Sequence, residues 1–324
     1  MLAGVLFALA AGLMWGLIFV GPLLVPDYPG ALQSAGRYVA FGLIALPLAW
    51  LDRRRLRKLL PADWREALKL SLVGNLLYYT FLASAIQRTG APVSTMIIGT
   101  LPVVMAITAN LCYGHLEGRL AWRRLAPALL AIGAGLACVN IAELRGQEGE
   151  WDLTRYLSGI ALAVLAVACW TWYPLRNARW LRTHPQHKPA TWATAQGIVT
   201  LPLALVMYAL VGAQLAWQQP SFTLPFGPQP QLFLPLMLMI GLLCSWLGTL
   251  CWNAASQRLP TVFMGPLIVF ETLSGLLWTF LWRQSWPPLL TLTGILCLIF
   301  GVLWAMRIKP EPLLSINSSG QRLN

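Results

Sequence analysis

The chain alternates long apolar runs with short polar breaks along its whole length. Each run approaches the roughly 20 residues a helix needs to cross a bilayer. In hydrocarbon every backbone amide must be satisfied internally, so such runs are helices or a closed barrel. They are too long and too uniformly apolar for barrel strands, which alternate over about 10 residues. The pattern predicts an all-α integral membrane protein. Its ten transmembrane helices fall at about 2–22, 31–51, 66–86, 92–113, 124–142, 157–177, 190–212, 232–254, 261–282 and 287–307.

The polar breaks set the orientation. Of the 23 Lys and Arg residues, 18 fall on one side if the spans alternate, seven of them in DRRRLRKLLPADWREALK between spans 2 and 3. Only Arg37, Arg88, Arg145, Arg155 and Arg283 fall on the other side. By the positive-inside rule both termini are cytoplasmic, in a bacterial inner membrane. The N-terminal run lacks the charged start of a signal peptide and is read as the first span. The acidic connection ELRGQEGEWDLTR between spans 5 and 6 stays outside. The uncharged, proline-rich AQLAWQQPSFTLPFGPQPQ between spans 7 and 8 reads as an irregular connection at the membrane interface. The end of the chain, EPLLSINSSGQRLN, reads as a disordered tail.

Composition agrees. The sequence is 57% hydrophobic and 10% charged, against about 25% charged in soluble domains. The net charge of +12 lies in short loops and not along a phosphate-tracking face, so no nucleic-acid partner is expected. The six cysteines fall within spans and behave as small hydrophobes. His115, His184 and His187 fall in cytoplasmic loops. No metal or other cofactor is expected. No GxxxxGK[ST] motif is present, and neither paired acids nor a nucleophile with its base suggests an enzyme.

The two halves resemble each other. LAGVLFALAAGLMWG (2–16) matches LSGIALAVLAVACWT (157–171), and at the same offset FGLIALPLA (41–49) matches QGIVTLPLA (196–204). ASAIQR (83–88) matches NAASQR (253–258), and Ala126 to Gly133 matches Gly294 to Gly301. The reading is a first five-helix repeat at 1–142, a connecting loop at 143–156, a second repeat at 157–307 and a tail at 308–324. Five spans per half turn the second half upside down. Inverted repeats are typical of secondary transporters, with a substrate site near the bilayer midplane.

On these residues the sequence resembles the EamA-type branch of the drug/metabolite transporter superfamily, over nearly the whole chain. The resemblance is carried by Trp15 and Trp170 in the first helix of each repeat, Arg37 at the start of the second helix and Pro102 in the fourth. Glu271, eleven residues after Pro260, and the small-residue patterns ending at Gly133 and Gly301 complete it. The sequence departs from the family pattern at Thr272, where Pro often follows the Glu. It departs again at Ser285, within RQSW, in place of a GE pair whose counterpart in helix 4 is kept at Glu117. The resemblance implies the ten-helix inverted-repeat fold and gradient-driven export of a small metabolite, an amino acid or an organic cation. Import of a metabolite and lipid flipping are the alternatives within the same fold. Members with unlike substrates share this Glu, which implies a role in coupling or gating.

Glu271 is the one acid placed deep in a span. A charge at the bilayer centre costs about 2.5–3.5 kcal/mol on insertion scales, so it should face the bundle interior. There it suits proton coupling, a counter-charge to a cationic substrate, or a structural hydrogen bond. Arg37, about two turns inside span 2, either pairs with an acid, binds a substrate carboxylate, or snorkels to the interface. Aromatic and amide residues cluster where the halves should meet: Trp15, Asn75, Tyr78, Tyr79, Trp170, Tyr173, Trp252 and Asn253. They suit a small-molecule wall or a cation–π cage, and equally an interfacial belt. The expected partners are the small-molecule substrate, the lipid bilayer and a proton as coupling ion, in a monomer or homodimer.

Overall fold

The computed structural model describes residues 1–89, 97–114, 120–144, 153–284 and 286–308. His115, Glu117, Ser285, most of the acidic connection and the tail from 309 lie outside them. The described residues form helices joined by turns and coil, without a strand.

The long helices are α1 (Leu2–Gly16), α2 (Gly30–Leu51), α3 (Pro61–Ser71, then a π-helical turn Leu72–Leu77, then Tyr78–Thr89) and α4 (Leu101–Cys112). There follow α5 (Trp122–Leu144), α6 (Leu153–Thr183) and α7 (Pro189–Gln218). The last are α8 (Pro230–Ile240, a π-helical turn Gly241–Leu247, then Gly248–Arg258), α9 (Met264–Arg283) and α10 (Leu289–Arg307). Among the described residues seven helices, α2 and α5 to α10, are long and apolar enough to cross a membrane, while α1 and α4 are apolar but shorter.

Several helices start on a proline in their first turn: Pro61, Pro102, Pro189 and Pro230. There the missing N–H removes no intrahelical bond. At α3 the Asp63 carboxylate also accepts the Leu60 amide at 2.8 Å, closing an open N-terminal donor. Residues 97–98 are helical, 99–100 form a turn, and Pro102 stands in the first turn of the helix that follows. Pro47, Pro174 and Pro202 do stand inside helices, which membrane helices tolerate when neighbours re-satisfy the backbone.

The helices pack in pairs: α5 on α10, α2 on α7, α3 on α6, α1 on α8 and α9, and α4 on α9. Small residues make the close approaches. A Cβ at Gly42 would lie 2.5 Å from Leu201, and one at Gly197 would lie 2.6 Å from Ala45. Gly16 brings α1 within 2.6 Å of Ser274 and 2.7 Å of Gly275 on α9, measured from the Cβ it lacks. Such contacts drive association in lipid, where burying apolar area adds little. The outward faces carry exposed Leu130, Leu205, Val206, Leu210, Leu296 and Phe300, a surface that hydrocarbon solvates and water does not.

Candidate functional site

Glu271 sits on the seam between α1 and α9. Gly12 lets α1 press on the α9 backbone there, its absent Cβ being 3.1 Å from the Glu271 amide nitrogen. About two turns further along α9, Trp278 Nε1 donates to the Leu13 carbonyl at 2.9 Å. The seam holds the α9 backbone close to α1 and leaves the carboxyl of Glu271 to reach past it. Oε2 is buried without a hydrogen-bond partner.

Trp170, on α6, directs its indole N–H toward that carboxyl, yet Nε1 is also buried without a completed hydrogen bond. Around it runs an aromatic column. Trp170 stacks on Tyr78 with ring centres 4.6 Å apart and on Tyr173 at 5.4 Å. Trp15 meets Trp170 edge-on at 5.7 Å and Trp252 at 5.2 Å. Tyr79 meets Tyr78 edge-on at 6.4 Å. Trp15, Trp252, Trp170, Tyr78 and Tyr173 are all buried, so these rings line the bundle interior and do not form an interfacial belt.

The two first-helix tryptophans differ in their polar edges. Trp15 Nε1 donates to the Cys244 carbonyl at 2.8 Å, inside the π-helical turn of α8. A π turn breaks the regular i→i−4 ladder, and here Trp15 supplies a donor to it. Trp15 is therefore tied down, whereas Trp170 keeps its N–H free beside Glu271.

Arg37, on α2, is 7% exposed. Its Nε donates to Ser245 Oγ in the same π-helical turn at 2.9 Å, and its guanidinium lies 5.0 Å from the Tyr38 ring centre. Snorkelling is thereby corrected: the head group is held inside the bundle. Arg37 and Tyr78 are both within electrostatic reach of Glu271, without an ion pair between Arg37 and Glu271.

Three sequence candidates belong to a second constellation. Asn253 Oδ1 accepts from Asn177 Nδ2 at 2.8 Å. Asn177 Oδ1 accepts from Trp192 Nε1 at 2.8 Å and Gln196 Nε2 at 2.9 Å. Gln196 Oε1 accepts from the Tyr173 hydroxyl at 2.9 Å. Its carbonyl accepts from Thr200 at 2.7 Å, and Thr200 in turn accepts from Asn75 Nδ2 at 3.2 Å. The polar groups of Asn75, Tyr173 and Asn253 are therefore directed into a buried tie joining α3, α6, α7 and α8. Asn75 lies in the π-helical turn and bonds α7, while Tyr78 stacks on α6. Sequence reading missed Asn177, Trp192, Gln196 and Thr200. A signal existed: Gln196 stands where the matching segment of the first half has Phe41.

At the end of this tie, polar contacts fasten these helices to one another and to the end of α2. Arg176 grips Glu66 through two bonds, 2.5 and 3.0 Å. Thr191 donates to Asp52. Gln257 donates to the His187 carbonyl at 2.7 Å. The imidazoles of His184 and His187 stack on Trp180, with ring centres 4.5 and 5.6 Å from it. Among the described residues no group of three metal-ligating side chains assembles.

Comparison with known proteins places the chain. The model of the EamA-like transporter family matches residues 2–140. A protein described as "Inner membrane protein YtfF", from Escherichia coli strain K12, is 63% identical over 315 residues, 97% of this chain and 98% of that protein. The chain belongs to the EamA-like transporter family. It is thereby a member of the drug/metabolite transporter superfamily. A solved crystal structure shares the fold, with a TM-score of 0.69 at 17% identity over 93% of this chain and 96% of the other. Glu271 with its sealed Oε2, the aromatic column and Arg37 are the chemistry available inside the bundle.

Proposed function

We propose that this protein is a secondary-active transporter of the inner membrane that exports a small metabolite by alternating access, driven by the proton gradient. The observation that carries the reading is Glu271, whose Oε2 is buried with no hydrogen-bond partner beside an equally unpartnered Trp170 N–H. A purely structural carboxylate in hydrocarbon would be satisfied by fixed donors. One left free is available to a proton or to cargo, and amino acids and organic cations are the substrate classes in view.

In this proposal α1, α3 and α4 cross the membrane with the seven longer helices, making ten spans in two inverted repeats with both termini in the cytoplasm. Reciprocal contacts support the repeat. Gly4 packs on Arg258 and Leu259, as Gly159 packs on Arg88 and Thr89. The π-helical turns Leu72–Leu77 and Gly241–Leu247 recur at the offset that relates ASAIQR to NAASQR. Paired irregularities at matching places in two halves are the pattern from which a transporter's central site is inferred.

The test is flux. Purified protein is reconstituted in liposomes with an imposed pH gradient, and labelled amino acids and quaternary amines are followed for the wild type and Glu271→Gln. Gradient-driven movement in the wild type that Glu271→Gln abolishes supports the proposal. Equal flux in both removes Glu271 from the mechanism. Imposing the gradient in each direction separates export from import.

A further inference from the structure

Arg37 raises a problem that the transport reading leaves open. A guanidinium has five N–H donors and no acceptor, and isolating it inside a membrane bundle is costly without a counter-ion. Of the five, only the Nε donor forms a hydrogen bond, to the uncharged Ser245 hydroxyl. The two Nη groups make none, and no carboxylate among the described residues forms an ion pair with them. Neither Nη is among the fully sealed, unpartnered polar atoms of the interior, so each keeps some exposed surface.

The surroundings are themselves donor-rich. Tyr38, Tyr78 and Tyr79 all lie within electrostatic reach of the guanidinium. Their phenol oxygens likewise form no hydrogen bond and are not fully sealed. Tyr38 places its ring beneath the guanidinium, and Tyr78 stacks on Trp170. A planar fork with free Nη donors, bordered by phenol hydroxyls and an aromatic wall, matches a planar oxyanion on a partly apolar molecule.

We propose that Arg37 is the specificity-determining residue for an oxyanion, most simply a carboxylate, carried by the substrate. It docks on the two Nη groups with the phenols of Tyr38, Tyr78 and Tyr79 completing its hydrogen bonds. The inference rests on reading this region as the substrate path. It narrows the substrate to molecules bearing a carboxylate or similar group and sets aside simple organic cations. Glu271, beside Trp170 and within electrostatic reach of Tyr78 and Arg37, is left for a proton or for a positive charge on the same molecule.

Binding in detergent tests this without any flux. The thermal unfolding midpoint of the full chain is followed by tryptophan fluorescence with phenylpropionate, phenylalanine, phenylalaninamide and phenethylamine at millimolar concentration. A wider panel of aliphatic mono- and dicarboxylates is run beside them. Carboxylates should raise the midpoint, and the amide and amine should not. Arg37→Gln should weaken the carboxylates' apparent affinity by about tenfold or more. Arg37→Lys should restore part of it, as a point charge without the fork. Since Arg37→Gln can perturb folding, Tyr38→Phe and Tyr78→Phe serve as second variants. Each keeps its ring, loses only the hydroxyl, and should weaken carboxylate binding alone.

Stabilisation by the amide or amine equal to that by the acid overturns the proposal. So does carboxylate stabilisation that survives in Arg37→Gln, or a panel in which no carboxylate raises the midpoint. A protein that binds carboxylates through Arg37 but carries nothing in liposomes sinks only the transport mechanism, so the two failures are distinguishable.

Discussion

At Trp15 and Trp170 the same residue type performs two tasks. The Trp15 N–H satisfies a carbonyl of the α8 π-helical turn, while the Trp170 N–H has no completed bond and faces Glu271. Phenylalanine at each position separates the tasks, since it keeps most of the ring and removes the donor. Trp15→Phe is expected to destabilise the protein by about 0.5–1.5 kcal/mol, the usual net value of such a bond, and to leave substrate affinity unchanged. Trp170→Phe, which leaves only the cavity of the lost pyrrole ring, is expected to destabilise less than Trp15→Phe and to reduce gradient-driven flux by about tenfold, equivalent to about 1.4 kcal/mol. Thermal unfolding in detergent and liposome flux, measured on both variants, check the pair. Both tryptophans stood out in the sequence at matching places in two similar segments. Their difference was not, because it depends on which backbone carbonyl lies opposite each ring.

Among the elements, the contact of α9 with α1 and α4 positions the acid. Gly16 admits the α9 backbone on one side, and on the other a Cβ at Gly265 would lie 2.5 Å from Ala106 Cα. Gly16→Leu and Gly265→Leu should each cost about 1–3 kcal/mol through overpacking, seen as a lowered thermal midpoint. Gly133, with open space where its Cβ would stand, should accept alanine with little change, although sequence reading placed it in the same small-residue class. Small residues in a span advertise close packing without naming the partner helix. The π-helical turns are a similar case, since GNLL and GLLC look like ordinary helix until a neighbouring side chain meets the displaced backbone.

For the whole molecule, the tie through Asn177 joins helices from both halves, and every polar group in it is buried. Asn177→Leu would orphan Trp192 Nε1, Gln196 Nε2 and Asn253 Oδ1 together. Unsatisfied buried groups cost about 1–3 kcal/mol each, but membrane hydrogen bonds average only about 0.6 kcal/mol. A loss of about 2 kcal/mol overall is expected, read as a lower midpoint. The Arg176–Glu66 pair, with Arg176 about half exposed, should contribute no more than about 1 kcal/mol, which a double-mutant cycle checks. Orientation is also testable at this scale. Reporter fusions after Lys188 and after the last residue should be active in the cytoplasm, and one within 219–229 should be active outside. Any other arrangement removes the proposed topology.

The helices of the described residues and their fitness for lipid were written in linear order. They follow from the length and uniformity of apolar runs, a local property that burial in hydrocarbon reads without reference to neighbours. Glu271 stood out for the same reason, as a charge where hydrocarbon tolerates few. Tertiary packing alone decided that Arg37 is held inside with free Nη groups, that Asn75, Tyr173 and Asn253 join a buried tie, and that Trp170 rather than Trp15 faces the acid. Each of those outcomes turns on a partner more than 20 residues away or on another helix, and a hydrogen bond has no sequence signature until both of its ends are brought together.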